Sequence, residues 1–167
     1  MCIRDRGYFE LGFAYLSTDR NAQEEAFRKG KDYALESLRL DPKFVKTEQE
    51  SFRAAISGAT DVAALFWYGN NLGSYLNFHF MAALSGGMND VRAAFARAIE
   101  LGPDFLENYV DAAEYVYKQG GEWDEFCANL REAITRGKDP KVMATWPLYN
   151  ALALKRAESL IDDKECQ

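Results

Sequence analysis

Few side chains in this 167-residue chain are of the kinds that do chemistry, and their spacing is sparse. There is one histidine, His79, and there are three cysteines, Cys2, Cys127 and Cys166. They share no metal-ligand spacing, so a zinc site would need unusual ligands. Three cysteines with one near each end give no disulfide framework, and Cys127, inside an amphipathic segment, reads as a small buried hydrophobe. His79 has no serine or cysteine motif around it from which to build a nucleophile–base pair. It reads as a core histidine hydrogen-bonded to a neighbouring helix. Gly86-Gly87 lacks the lysine and spacing of a phosphate loop and reads as a helix stop. The expectation is no catalytic site, no metal, no cofactor and no enzyme.

The chemistry that remains is neutral and polar. Between Asp61 and Asp90 the chain has no charged residue. At about 100° per residue, Leu65, Tyr68, Leu72, Tyr75, Leu76, His79 and Ala83 share one broad apolar face. Trp67, Asn70, Ser74, Asn77 and Met81 fall on a narrow opposite stripe that is polar but uncharged. A surface helix carries Lys and Glu outside, so this one is expected to be surrounded by protein or to line a cavity. Trp67, Asn70, Asn71, Ser74 and Asn77 are therefore the candidate ligand- or channel-lining residues, since such sites combine aromatic walls with a few neutral polar groups. The competing reading has the asparagines bonding loop backbone or another subunit while the aromatics fill the core.

The elements that must position this stripe are all helices. A short helix is expected over 8–16 and a second over 22–40, ended by Asp41-Pro42 because the residue before proline leaves the helical region. Thr47 with Glu50 is a capping-box pattern that should open a helix over 52–56. The central helix should run from 62 to the Ser85-Gly86-Gly87 stop. Helices follow over 91–101, 105–119 and 123–136, with Gly137 a natural C-terminal cap. A short helix from Asp139-Pro140, interrupted at Pro147, leads to a last one over 148–161. Strand signals are absent, so the fold class is all-α. Residues 1–6 resemble a translated sequencing adapter, 7–162 are expected to form one domain, and 163–167 a polar tail.

With 48% hydrophobic and 14% aromatic residues, the chain is not disordered. A net charge of −6 with no basic stripe argues against nucleic-acid binding. The 62–89 stretch is long enough to span a bilayer, but four asparagines, two serines and a histidine make it too polar.

A repeat lies beneath this order. Leu40-Asp41-Pro42-Lys43-Phe44 is echoed by Leu101-Gly102-Pro103-Asp104-Phe105 and more faintly by Lys138-Asp139-Pro140. Leu11-Gly12 and Leu72-Gly73 stand at equal distances before the first two prolines. Small residues where helices cross, with proline closing the second helix, are the grammar of a degenerate tetratricopeptide-like array.

Two stretches carry a family resemblance: Phe27-Arg28-Lys29-Gly30-Lys31-Asp32-Tyr33-Ala34-Leu35 and Val62-Ala63-Ala64-Leu65-Phe66-Trp67-Tyr68. They resemble the T-component family of tripartite ATP-independent periplasmic (TRAP) transporters, known as TatT, and the likeness runs over most of the chain after Gly7. The resemblance implies a periplasmic, lipid-anchored, non-enzymatic helical-repeat protein that assembles as a trimer. It also implies work beside the transporter's substrate-binding P-component on a hydrophobic or organic-acid ligand. The chain departs from it in showing no lipobox, because Cys2 has no apolar segment before it. The alternative is a generic tetratricopeptide-like protein–protein interaction adaptor holding a peptide in a groove.

Overall fold

The computed structural model describes residues 3–162 and 164–166, and among them every regular element is helical. The helices are α1 (Ile3–Glu10), α2 (Arg20–Leu38), α3 (Pro42–Glu48), α4 (Phe52–Gly58), α5 (Val62–Leu76), α6 (Phe80–Ala82), α7 (Met88–Leu101), α8 (Glu107–Ala112), α9 (Trp123–Arg136), α10 (Pro140–Thr145) and α11 (Pro147–Leu160). Wider π-helical turns extend α1 over Leu11–Tyr15, α6 over Ala83–Gly87 and α8 over Ala113–Lys118. The contacts divide the chain into two compact units, residues 1–98 and 99–167, where the sequence suggested one domain.

Unit 1 is organised by the packing of α2 on α5. Asp19 caps α2 by accepting from Ala22 N at 3.0 Å, and Asp61 caps α5 by accepting from Ala64 N at 3.0 Å. Each carboxylate satisfies an amide that the first helical turn leaves without a partner. Ala26, Phe27, Gly30, Ala34 and Leu38 form the buried face of α2. Ile3–Arg6, assigned by sequence to an adapter-like leader, open α1, and Asp5 is buried. Met1 and Cys2 lie outside the described residues.

Four local expectations are corrected. The segment 42–48 is helical: Asp41 accepts from Lys43 N at 2.8 Å and caps α3, so Asp41-Pro42 starts a helix as well as ending one. The Thr47 capping box is not used, because Thr47 lies inside α3 and donates to Lys43 O at 2.9 Å. Ser51 caps α4 instead. The central helix ends at Leu76, not at Ser85; residues 77–79 break it, and the chain then folds back through α6. The return is tight at Gly87, where a Cβ would lie 2.9 Å from a Leu76 methyl, while Gly86 takes φ 119°. Gly137 ends α9 in right-handed geometry, so its lack of a Cβ serves packing: the Leu154 side chain would meet one at 2.8 Å.

Unit 2 packs α8, α9 and α11 around Leu106, Val110, Ala113, Phe126, Leu130, Ala153 and Ala157. Asn150, fully buried on α11, ties its turns together. Its Oδ1 accepts from Leu106 N at 3.0 Å, and its Nδ2 donates to Asp104 O at 2.8 Å and Val142 O at 2.9 Å. Cys127 is joined to Cys166 by a disulfide across Cα atoms 5.5 Å apart. Cys127 is thus more than the small buried hydrophobe expected, and within the polar tail the turn Lys164–Cys166 is fastened to α9, with Arg131 donating to Cys166 O at 2.9 Å. Asp163 and Gln167 lie outside the described residues.

Candidate functional site

The neutral stripe is carried by α5, and its members part company along the helix. Trp67 is half-buried, with its ring 5.6 Å from Phe9 and 4.8 Å from Phe66. Asn70, Asn71 and Ser74 are buried, at 1%, 0% and 4% exposure. Asn77 follows the last turn of α5 and is exposed, as is Met81. Only the N-terminal two-thirds of the stripe therefore faces protein, because α5 stops two residues after Ser74.

The two adjacent asparagines are held by their amide nitrogens. Asn70 Nδ2 donates to Phe66 O at 3.1 Å, one turn back on its own helix. Asn71 Nδ2 donates to Trp67 O at 2.8 Å and to Asp5 O at 3.2 Å, tying α5 to α1. Both side-chain oxygens are buried without a donor. Leaving such an acceptor unsatisfied costs on the order of 1–3 kcal/mol. The Asn71 amide faces Gly30: a Cβ there would lie 2.5 Å from Asn71 Cγ and closer still to Oδ1. Glycine at position 30 is what lets α2 approach the buried amide. Close approach recurs at Gly69, where a Cβ would meet the Phe95 ring at 3.0 Å, and at Gly12, where it would meet Phe27 at 2.8 Å. Gly12 is thus the close crossing that its Leu-Gly pair suggested, and Gly73 is buried.

Asp5 adds an ionisable group beneath the stripe. Its carboxyl is pushed above the ordinary carboxylate range by burial, opposed by the Arg6 and Asp5 amides and reinforced by the charge of Asp61. His79 sits just ahead of α6 rather than mid-helix, about a third exposed. Its Nε2 lies 2.8 Å from Glu24 Oε1 on α2, and its ring lies 4.2 Å from Tyr75. The hydrogen bond to a neighbouring helix expected of it is present, but the core setting is not, because the break at 77–79 turns it outward. A small cavity of about 30 Å³, room for roughly one water, lies at the opposite end of α5, lined by Ser37, Leu38, Asp41, Phe44, Ala59, Thr60 and Asp61.

Unit 2 holds a polar cluster that sequence reasoning missed. Arg156 on α11 meets Glu107 at 2.6 Å, Asp111 at 2.9 Å and Glu114. The signal was readable, since acids at i, i+4 and i+7 share a helix face. Burial pushes the Glu107 carboxyl up to about 7, with Asp111 adding to the shift and Arg156 opposing it. Although Glu107 touches a guanidinium, burial and the neighbouring acid outweigh that contact. Arg156 is itself held above its usual range: burial works against its charge, but Asp111 and Glu107 prevail.

Among the described residues no three His, Cys, Asp or Glu side chains are grouped to hold a metal, and no helix is long and apolar enough to cross a membrane. No family model, curated protein or solved structure matches the chain.

Proposed function

We propose that this chain is a non-enzymatic accessory component of a TRAP transporter, working beside the periplasmic substrate-binding P-component on a hydrophobic or organic-acid ligand. One observation carries the reading. The two stretches that resemble the T-component family fall on α2 and α5, and Gly30 of the first receives Asn71, three residues beyond the second. The resemblance therefore lies on one helix crossing rather than on scattered surface positions. The Cys127–Cys166 disulfide supports the periplasmic assignment, because such bonds form and persist in oxidising compartments. Lipid anchoring and a trimeric state are parts of the same proposal that rest on the resemblance.

In this reading a ligand path runs past Trp67, Asn70 and Ser74 with Asn77 at its mouth, while Asn71, packed on Gly30 and bonded to Asp5 O, holds α5 to α2 and α1. The unsatisfied oxygen of Asn70 supplies an acceptor that a hydroxyl or a protonated acid can use. The test is binding to a TRAP-transporter P-component from the same genome, by calorimetry, with the wild type and Asn70→Leu. Micromolar binding by both, with ligand retention altered only in Asn70→Leu, is expected. No binding by the wild type would remove the transport reading.

A further inference from the structure

We propose that unit 2 rests on an anionic phospholipid surface through one face of the α10–α11 corner, its apolar side chains entering the lipid and its lysines meeting the headgroups. From Val142 to Leu154 the chain has no charged residue. Within that run Ala144 through Leu148 are all exposed, and so are Ala151 and Leu152. Trp146, Leu148 and Leu152 are 49%, 69% and 50% exposed. On α11, Leu148, Ala151, Leu152 and Lys155 stand at i, i+3, i+4 and i+7 and share one face. Asn150, Ala153 and Ala157 are its buried side. On α10, Lys141 lies one turn before Thr145, whose hydroxyl donates to Lys141 O at 3.1 Å. Trp146 and Pro147 join the two helices, and Phe105 meets the Trp146 ring edge-on at 5.6 Å. Each exposed member is next in sequence to another or one helical turn from it. The surface is therefore continuous from Lys141 to Lys155.

Charge selects the occupant. Unit 2 carries 8 basic and 14 acidic residues. Its segment 136–156 nevertheless holds Arg136, Lys138, Lys141, Lys155 and Arg156 against a single acid, Asp139, which caps α10. The two arginines turn to acids of their own unit, Arg136 to Glu132 and Asp104, and Arg156 to Glu107, Asp111 and Glu114. Lys138, Lys141 and Lys155 are exposed, and among the described residues none of them is in an ion pair. Free lysines at both ends of an apolar strip centred on tryptophan suit a membrane interface. Lysine stems lie along apolar surface with their ammonium groups at the headgroups, an indole sits at the same level, and positive charge draws anionic lipid. A protein partner is the weaker fit, since protein interfaces are depleted of lysine. With 14 residues and one side in the core, α11 is too short to cross a bilayer and would lie in its plane.

The contact is made by folded residues of unit 2, so it is separate from the covalent anchor that the family resemblance implies and does not rest on the transport reading. Flotation of the purified 167-residue chain, carrying no acyl group, tests it with vesicles of phosphatidylcholine containing about a quarter phosphatidylglycerol. Binding to these vesicles is expected, with little to pure phosphatidylcholine and loss at about 1 M salt, where charges are screened within ~3 Å. Lys141→Glu/Lys155→Glu and Leu148→Gln/Leu152→Gln should each weaken it by more than roughly tenfold. Phe80→Asp/Met81→Asp, on the exposed apolar residues of unit 1, should leave it unchanged. Circular dichroism and melting temperature confirm that each variant folds, and the exposed lysine pair keeps the test open if the leucine pair does not. No flotation with anionic vesicles would overturn the proposal, as would equal binding to both lipids or binding kept in the folded variants. Loss in Phe80→Asp/Met81→Asp alone would place the contact on unit 1 and overturn it too. Binding of a poly-glutamate peptide without flotation would overturn it in favour of an acidic protein segment. Because no P-component takes part, failure here is distinguishable from failure of the transport reading.

Discussion

Position 30 sets how closely α2 and α5 approach. A methyl group there would overlap the Asn71 amide, so Gly30→Ala should destabilise by about 1–3 kcal/mol through overpacking. In an Asn71→Ala background the same change should cost far less, because the group it strikes is gone. Urea unfolding of the four proteins as a double-mutant cycle measures the coupling, and additive effects would show that the crossing is not tight. Glu107 offers a second residue-level test. Its folded-state value, raised to about 7 from an ordinary 4.5, means that the folded chain keeps a proton the unfolded chain has already lost. Stability from this group is therefore greatest at low pH and falls as pH rises from about 4.5 to 7, then levels off. Glu107→Gln should remove that decline, on the order of 1–3 kcal/mol, when stability is compared at pH 5 and pH 8. A slope identical to wild type would place the proton elsewhere. Glycine inside a helical pattern was the readable sign of Gly30's role. Its partner was not readable, since nothing in sequence says which side chain faces a gap.

At the scale of elements, the starts of α4, α5 and α9 and the ends of α7 and α9 were legible, whereas the helix at 42–48 and the early end of α5 were not. Asp19, Asp61 and the break at Gly120-Gly121, where Gly121 takes φ 72°, stand where local chemistry requires them. The early end of α5 was hidden because residues 77–87 keep helical composition. What turns the chain is the packing of Gly87 on Leu76 and the bond from His79 to Glu24. The disulfide was illegible for a similar reason, since cysteines 39 positions apart meet only once α9 and the C-terminal turn are placed. It closes a long loop, and on the chain-entropy account Cys166→Ser should cost up to about 4 kcal/mol. Denaturant unfolding with and without reductant checks this. The wild type should shift in reductant and Cys166→Ser should not; a wild type indifferent to reductant would deny the bond a stabilising role.

For the whole molecule, the all-helical architecture followed from periodicity and capping, and it holds. The repeat that proved structural is the fainter echo. Asp41-Pro42-Lys43 and Asp139-Pro140-Lys141 each open a short helix, with the Asp bonding the Lys amide at 2.8 Å in both. In each, a Thr four residues on, Thr47 or Thr145, returns a bond to that Lys carbonyl. One copy lies in each unit, whereas Gly102-Pro103 precedes a turn rather than starting a helix. Sequence similarity favoured the wrong pair because it weighed flanking Leu and Phe above the Asp that does the capping. The division of charge, neutral in unit 1 and acidic in unit 2, was equally open to counting but invisible in the total of −6. The central claim, a transport accessory acting beside a binding protein, belongs to this scale. Native mass spectrometry of the chain mixed with a TRAP-transporter P-component from the same genome tests it most directly. The account predicts a defined complex that retains an organic-acid or hydrophobic ligand at micromolar concentration. Free components with no ligand carried by either complex or chain would contradict it.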